Sequence, residues 1–335
     1  MAFDGIVLSR VTELLNETIV TGRISKLYQI SKYELLMTVR AQNENKKLLV
    51  SIHPMYARVQ LTQLNYPTPD FPNALTMFLR KHIEGSFIER IEQVGLDRIL
   101  KITLRGRNEF KDLVEYHLYI EIMGKHSNFI LTNKEDKILE CLKRVSPSDS
   151  IRIMQPGITY SYPPLLEKKN PFENRPETTN LVKEFEGFSK DLAEEAASRM
   201  EQGEDFKTIM NEIKESKELY ITRGDKEKYH VIPLHCFGKK IDQYSLFDGL
   251  DAYYQFIDQK DRIKQQTSDI LHFIQKEYTK NVNKLDKLEK TLFDSHNSDE
   301  YRIKGDLLYA SLHLIQKGMK EVTVDTVSYT HLTLP

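Results

Sequence analysis

The sequence is divided into two differently patterned parts by a cluster of prolines, at positions 156, 163, 164, 171 and 176. Proline lacks a backbone N–H and has a fixed φ, so this segment can form neither an uninterrupted helix nor a central strand. Before it, short runs rich in β-branched and aromatic residues alternate with polar turns. After it, apolar residues recur at helical spacing. The sequence therefore predicts an α+β protein with a domain boundary near residue 172.

The first part predicts two helices and a strand-rich meander. Helical spacing of apolar residues favours a helix over 3–15 and a shorter one over 75–82. Alternating apolar residues, bounded by turn residues such as those at 42–45, indicate strands. The strands are expected at 23–29, 34–40, 47–52, 87–94, 99–105, 116–122, 128–132 and 138–142.

The second part predicts mainly helices. Two apolar stripes flank Gly187, where glycine permits a tight turn, and Ser189 is placed to cap the second of a helix pair within 177–215. A small hairpin region is expected over 219–232 and 235–239. From residue 250 a long, highly charged helix suited to a coiled coil is expected. A break is predicted at 295–298, with the helix resuming over 301–317.

The last nine residues, 327–335, match the in-frame translation of a common transposase sequencing adapter. The other interpretation is a natural strand, because valine, tyrosine and threonine favour strands. We expect 326–335 to be adapter-derived and the natural protein to continue past about residue 325. The predicted domains are 1–172 for the strand-rich part, 173–245 for the helix pair and 246–325 for the first part of a coiled-coil arm.

The composition argues against several classes of protein. No stretch approaches the roughly 18 apolar residues that a membrane helix needs, and the N-terminus has no signal-peptide pattern. The two cysteines, Cys141 and Cys236, are far apart, which fits a reducing cytoplasm. The formal net charge of −1 argues neither for nor against nucleic acid. The sequence contains no phosphate loop, no catalytic motif and no metal-ligand spacing that we recognise. We therefore expect that the protein is not an enzyme and that it binds no cofactor or metal.

Short polar clusters are the candidate binding residues. Asp97 and Arg98 follow a glycine, and an arginine beside a carboxylate can be aimed at a phosphate or a base edge, although such pairs are usually surface ion pairs. After Gly124 come the donors Lys125 and His126, which could approach a phosphate or simply form a turn. The remaining candidates are the short basic groups Arg80, Lys81, Arg105 and Arg107, which nearby glutamates offset.

Seven segments distributed along the chain are informative together, namely Phe3-Asp4-Gly5, SIHPMYARV at 51–59, LRKHIEGSFIERIEQVGLDRIL at 79–100, EIMGKHSNFILTN at 121–133, RVSPS at 144–148, the PG…Y…PP pattern at 156–164 and YRIKGDLLYASL at 301–312. Taken jointly, they resemble the RqcH/NEMF (NFACT) family of ribosome quality control proteins. The resemblance implies an NFACT-N domain similar to the N-terminal domain of formamidopyrimidine-type DNA glycosylases. A helix-hairpin-helix domain and a long coiled-coil arm would follow it.

The family resemblance also implies a function and its residues. Family members bind the large ribosomal subunit with peptidyl-tRNA, and bacterial ones recruit alanyl-tRNA for non-templated tailing that marks the nascent chain for degradation. The arm would contact ribosomal protein or rRNA. The tRNA-engaging residues would be Asp97, Arg98, Glu121, Ile122 and Met123, and the last two could pack against the floor of the site or an unstacked base. Beyond these, contacts with the RNA backbone are expected from the basic and donor residues Lys125, His126, Arg80, Lys81, Arg105 and Arg107. The backbone N–H groups near Gly187 and Ser189 in the helix-hairpin-helix could also bind RNA backbone, or the helix pair could simply pack.

Two other functions fit parts of the sequence. The family carries an older label as fibronectin-binding proteins, so a surface adhesin is the alternative, although we see neither a signal peptide nor a cell-wall anchor. A DNA glycosylase is suggested by fold analogy alone, which does not transfer function. Those enzymes use an N-terminal proline amine after removal of methionine, and here the second residue is Ala2.

Overall fold

A computed structural model describes residues 3–108, 110–148, 152–164 and 167–324. The chain forms two compact units, Met1–Lys260 and Asp261–Pro335. The predicted adapter-derived tail, 326–335, lies outside the described residues, and so does the proposed end of the arm at residue 325.

The first unit is built on an antiparallel sheet of nine strands. The strands are β1 (Arg23–Ser31), β2 (Glu34–Ala41), β3 (Glu44–Ser51), β4 (Arg58–Thr62), β5 (Phe87–Gln93), β6 (Ile99–Arg107), β7 (Leu113–Glu121), β8 (Asn128–Asn133) and β9 (Ile138–Cys141). Their order in the sheet is β4-β3-β2-β1-β5-β6-β7-β8-β9. Consecutive strands are therefore adjacent except for β4 and β5, because β5 lies beside β1 and pairs with it only at Arg23 and Phe87.

Every strand predicted for this region is present, but β4 was not predicted. Its sequence carries Arg58 and Gln60, both fully buried, so alternating polar residues here do not mark a solvent-facing side. Their polar groups are satisfied by carboxylates from a helix far along the chain, Asp258 and Asp251. A contact of that kind leaves no signal in the local sequence.

Two helices pack on this sheet. The first, α1 (Gly5–Ile19), begins at Asp4, whose carboxylate accepts a hydrogen bond from the Val7 N–H at 2.9 Å. The second, α2 (Ala74–Ile83), begins at Asn73, which caps it in the same way. Their apolar faces join the main hydrophobic core. A smaller core on the other face packs Tyr119 of β7 against the 152–164 segment.

The remainder of the first unit is helical with a small second sheet. It contains α3 (Leu181–Glu184), α4 (Lys190–Glu201), α5 (Phe206–Glu215), β10 (Glu218–Arg223), β11 (Lys228–His230) and β12 (Lys240–Ser245). Ser189 caps α4 as predicted, accepting from the Leu192 N–H. The first helix of the predicted pair is only one turn long. The prediction of extended structure over 235–239 is wrong, because His235–Phe237 is a 3-10 turn and the third strand comes after it.

Buried residues from Phe3 to Tyr254 form one continuous cluster, so the main sheet and the helical region share a core. The domain boundaries predicted at 172 and 245 stay predictions.

A single helix, α6 (Leu246–Ala310), accounts for most of the second unit and begins in the first. The predicted break at 295–298 is wrong, because the helix runs through it. Serine and asparagine cost only a few tenths of a kcal/mol each within a helix, and no proline is present to remove a backbone bond. The predicted helix over 301–317 ends early, at Ala310. None of the helices that the structure describes has the length and apolarity to cross a membrane.

Candidate RNA-binding site

Asp97 and Arg98 lie in the connection between β5 and β6, which backbone hydrogen bonds hold in place. Gly95 takes a left-handed conformation, with φ of 57°, and the Asp97 N–H donates to the Val94 carbonyl at 3.1 Å. The Asp97 carboxylate accepts from the Arg98 N–H at 2.7 Å. The Arg98 carbonyl in turn accepts from the Ile122 N–H at 2.8 Å, so this loop is bonded directly to the end of β7.

The loop forms one wall of a cleft of about 340 Å³ in the first unit. The cleft brings together four of the residues predicted to contact RNA, namely Asp97, Arg98, Met123 and Gly187. The other lining residues are Val94, Gly95, Pro163, Pro164, Lys168 and Glu186. Two cations and two carboxylates therefore line the cleft together with apolar side chains, a combination that can hold both the charged backbone and the planar base of a nucleotide.

Glu121 does not line this cleft but stabilises the segment that forms part of it. Its side chain is buried, and both carboxylate oxygens accept from the Arg152 guanidinium, the longer of these bonds measuring 2.9 Å. The Tyr160 hydroxyl donates to the same carboxylate at 2.8 Å. Burial disfavours the charged form of Arg152, but the hydrogen bonds and charge of Glu121 outweigh this and raise the pKa of its guanidinium. Glu121 thus anchors the 152–164 segment.

The two predicted apolar contacts have different positions. Ile122 is fully buried in the main core, so it packs beneath the site, which was one of the two interpretations left open by the sequence. Met123 is partly exposed and lines the cleft, where its flexible thioether can contact a ligand. Lys125 and His126 are exposed in the 3-10 turn that follows, Gly124–His126.

The opening segment Phe3-Asp4-Gly5 joins the two loops of the cleft. The Gly5 N–H donates to the Gly187 carbonyl at 3.1 Å. A Cβ atom on Gly5 would lie 1.9 Å from the Leu96 carbonyl oxygen, so no larger residue fits without moving the loop that carries Asp97. Glu186 completes the junction by accepting from the Leu96 N–H at 3.2 Å.

Asp4 is the buried charge of this junction. Its second carboxylate oxygen lies 3.3 Å from His230 Nε2. Burial raises the pKa of Asp4, but the charge and hydrogen bond of His230, with further hydrogen bonds from Ser189 and Val7, outweigh it and lower that pKa overall. Ser189 therefore has two structural contacts, with Asp4 and with the first turn of α4.

The other predicted basic residues do not reach the cleft. Arg105 pairs with Phe87, at the far end of the β5–β6 hairpin from Asp97. Seven residues of β5 place the two ends roughly 20 Å apart. Arg80 donates to the Leu27 carbonyl, and Arg107 donates to the Lys111 carbonyl. Arg80, Lys81, Arg105 and Arg107 are thus separate from the Asp97 site.

Sequence reasoning missed Arg152, Lys168 and Glu186. A signal for Arg152 was present, because a glutamate within the apolar run at 118–123 needs a buried cation. The identity of that cation could not be read from the sequence. Among the described residues, no group of three or more His, Cys, Asp or Glu side chains is placed to hold a metal ion.

Comparison with known proteins identifies the family. The model of the NFACT N-terminal and middle domains matches residues 4–333. The chain belongs to the NFACT family. Among NFACT proteins, it is 39% identical over 348 residues to the "Rqc2 homolog RqcH" of Bacillus subtilis, covering 97% of this chain and 61% of that protein. A Streptococcus pneumoniae protein of the same name is 36% identical over 341 residues.

A solved structure confirms the predicted NFACT-N fold. The N-terminal part of the fibronectin/fibrinogen-binding protein from Streptococcus suis superposes with a TM-score of 0.68 at 35% identity, covering 76% of this chain and 99% of that one. The chain spans about three fifths of the length of the curated NFACT relatives that it matches.

Proposed function

We propose that this chain is the tRNA-engaging part of a ribosome quality control factor. The complete factor binds stalled large ribosomal subunits that carry peptidyl-tRNA. It recruits alanyl-tRNA for non-templated tailing of the nascent chain, which marks that chain for degradation. The proposal is supported by family membership and by the names of the relatives.

The observation that carries the proposal is the cleft that Asp97, Arg98 and Met123 share. A guanidinium can pair with a phosphate or stack on a base, and a carboxylate can accept from an exposed base edge. Met123 can pack against an unstacked base. Because the Arg98 carbonyl is bonded to the Ile122 N–H at the end of β7, the backbone that carries Asp97 and Arg98 is held before the ligand arrives, which reduces the entropy lost on binding.

In this proposal the chain contributes binding and positioning without forming a bond itself. The peptide bonds of the tail would be made by the catalytic centre of the ribosome, to which a positioned tRNA presents its amino acid. Glu121 then acts indirectly, because its ion pair with Arg152 holds the 152–164 segment that supplies Pro163 and Pro164 to the cleft. The arm beginning in α6 would reach ribosomal protein or rRNA.

The proposal is tested with the double variant Asp97→Ala/Arg98→Ala. The tagged protein is recovered from native lysate and its bound RNA is sequenced. We expect large-subunit rRNA and enriched alanine tRNA with the parent, and loss of the tRNA with the variant. The matched control is Asp225→Ala/Lys226→Ala, which removes an exposed acid and base from a turn of the second sheet. Equal tRNA recovery from both variants, or no rRNA above background, would contradict the proposal.

One second function has a specific observation in its favour. The solved relative from Streptococcus suis is a fibronectin/fibrinogen-binding protein. A surface role predicts that the protein is labelled when intact cells are treated with a membrane-impermeant biotin reagent. Labelling no greater than that of a cytoplasmic enzyme would remove the adhesin alternative.

A further inference from the structure

A concentration of positive charge lies at the opposite end of the β5–β6 hairpin from the Asp97 site. Arg23 of β1, Arg40 of β2, and Arg80 and Lys81 of α2 line a cleft of about 600 Å³, in which Glu84 is the one carboxylate. We call it the basic cleft. Because the formal net charge of the chain is −1, this local excess does not follow from overall composition.

The strand register places two of these charges, Arg40 and Arg23, in a row with Phe87 and Arg105. The Arg105 guanidinium already lies 2.8 Å from the Glu89 carboxylate. Arg40 pairs with Arg23, Arg23 with Phe87, and Phe87 with Arg105. Directly paired residues in an antiparallel sheet project on the same face. Like charges directly opposite each other on neighbouring strands repel, and both Arg23 and Arg40 are exposed. A bound anion would offset this repulsion.

Contacts with the backbone orient two of the cations. Arg23 donates through Nε to the Gly85 carbonyl at 3.0 Å, and Arg80 donates through Nε to the Leu27 carbonyl at 2.9 Å. The Arg80 guanidinium also lies 4.9 Å from the centre of the Tyr28 ring. A guanidinium carries five N–H donors, so one backbone bond fixes its plane and leaves donors for a phosphate.

The row is too long for a single phosphate. From β2 to β6 it crosses three strand spacings, or about 14 Å. Within it lies Phe87, a large apolar ring that is 53% exposed. Cations interleaved with an exposed aromatic ring are the combination that binds single-stranded nucleic acid, with charge following the backbone and the ring stacking on a base.

We propose that the basic cleft binds the backbone phosphates of a single-stranded RNA segment and that Phe87 stacks on an unpaired base. The inference rests on the proposed function only in taking RNA as the partner. The surface is distinct from the Asp97 site, since the two lie at opposite ends of the β5–β6 hairpin. An RNA that engages both would have to span roughly 20 Å of protein surface.

The test measures binding of the chain to fluorescent oligouridylate of about twelve nucleotides across a range of salt concentrations. Arg23→Gln/Arg40→Gln removes two phosphate contacts. The plot of the logarithm of the association constant against the logarithm of the salt concentration has a negative slope, and its magnitude should therefore decrease by about 1.4. Phe87→Ala should weaken binding by about five-fold or more without changing the slope. The control, Lys239→Gln/Lys240→Gln, removes two exposed cations from the second sheet and should leave the slope unchanged.

An unchanged slope for Arg23→Gln/Arg40→Gln, or an equal fall in the control, would overturn the inference. Loss of binding to phosphatidylserine vesicles with RNA binding intact would instead assign the cleft to lipid headgroups. Asp97→Ala/Arg98→Ala is measured beside them on the same probe and on tRNA. If that variant keeps tRNA capture while the arginine variant shows the expected smaller slope, the proposed function fails and the basic cleft stands.

Discussion

Two arginines of the first unit show opposite uses of the same side chain. Arg58 is fully buried and bonded to Asp258, Gln60 and the Tyr56 carbonyl, with its guanidinium 4.1 Å from the centre of the Tyr254 ring. Arg23 lies exposed beside another arginine. A buried charge must be compensated within the protein, whereas an exposed excess of charge can be compensated by a ligand. Burial therefore separates residues that hold the fold from those available for binding.

The largest effect on stability is expected when the buried Arg58 is replaced. Arg58→Ala should lower the free energy of unfolding by about 3–5 kcal/mol, because it removes the buried cation that pairs with the Asp258 carboxylate. Urea denaturation followed by circular dichroism at neutral pH measures the change. The paired replacement Arg58→Met/Asp258→Leu should recover most of the lost stability, because buried apolar residues of similar volume need no partner of opposite charge. A loss below about 1 kcal/mol for Arg58→Ala is typical of an exposed residue and would contradict the burial of this guanidinium.

A smaller effect is expected at the Glu121–Arg152 pair, in which the arginine is 21% exposed. Glu121→Gln keeps the shape but removes the charge, and should cost about 2 kcal/mol of unfolding free energy. It should also weaken tRNA capture, because the wall of the cleft is less well held. Asp97→Asn is the comparison, since it should weaken capture without measurable loss of stability. Equal stability of the two variants would show that Glu121 is not a structural residue.

The Asp4–His230 contact predicts a pH dependence. Because the pKa of Asp4 is lowered in the folded state, its charge stabilises the protein above the ordinary value of 3.8, and this contribution is lost as the pH falls through the lower folded pKa. Asp4→Asn, which can still cap α1, should therefore be less stable than the parent at pH 6, with the difference narrowing below about pH 4. Thermal unfolding at both pH values tests this. A constant difference would mean that the charge contributes nothing.

The smallest effect is expected at an exposed ion pair. Arg105 lies 2.8 Å from Glu89, and both side chains are well exposed. Arg105→Met should change the free energy of unfolding by less than about 0.5 kcal/mol, because exposed pairs gain little over their hydrated charges. Denaturation alongside Arg58→Ala provides the direct comparison. If Arg105→Met lowered the free energy of unfolding as much as Arg58→Ala, burial would not explain why the two arginines contribute differently to stability.

The predicted site was only partly assembled by sequence reasoning. Asp97, Arg98 and Met123 were placed together by the family resemblance, and the structure brings them to one cleft. The resemblance could not show that Glu121 is buried or that Arg152 is its partner. Arg80 and Arg105 were grouped with the Asp97 residues as RNA contacts. Only the sheet register shows that they belong to the other end of the hairpin.

Periodicity, turn residues and helix caps act between residues close in sequence, so the sequence by itself determined the two helices of the sheet region, most of its strands and the cap at Ser189. It also determined the family, through motifs distributed along the whole chain. Only the tertiary structure decided which charges are buried. The partners of Arg58 and Glu121 lie 200 and 31 residues away in sequence, and compensation of a buried charge depends on proximity in space.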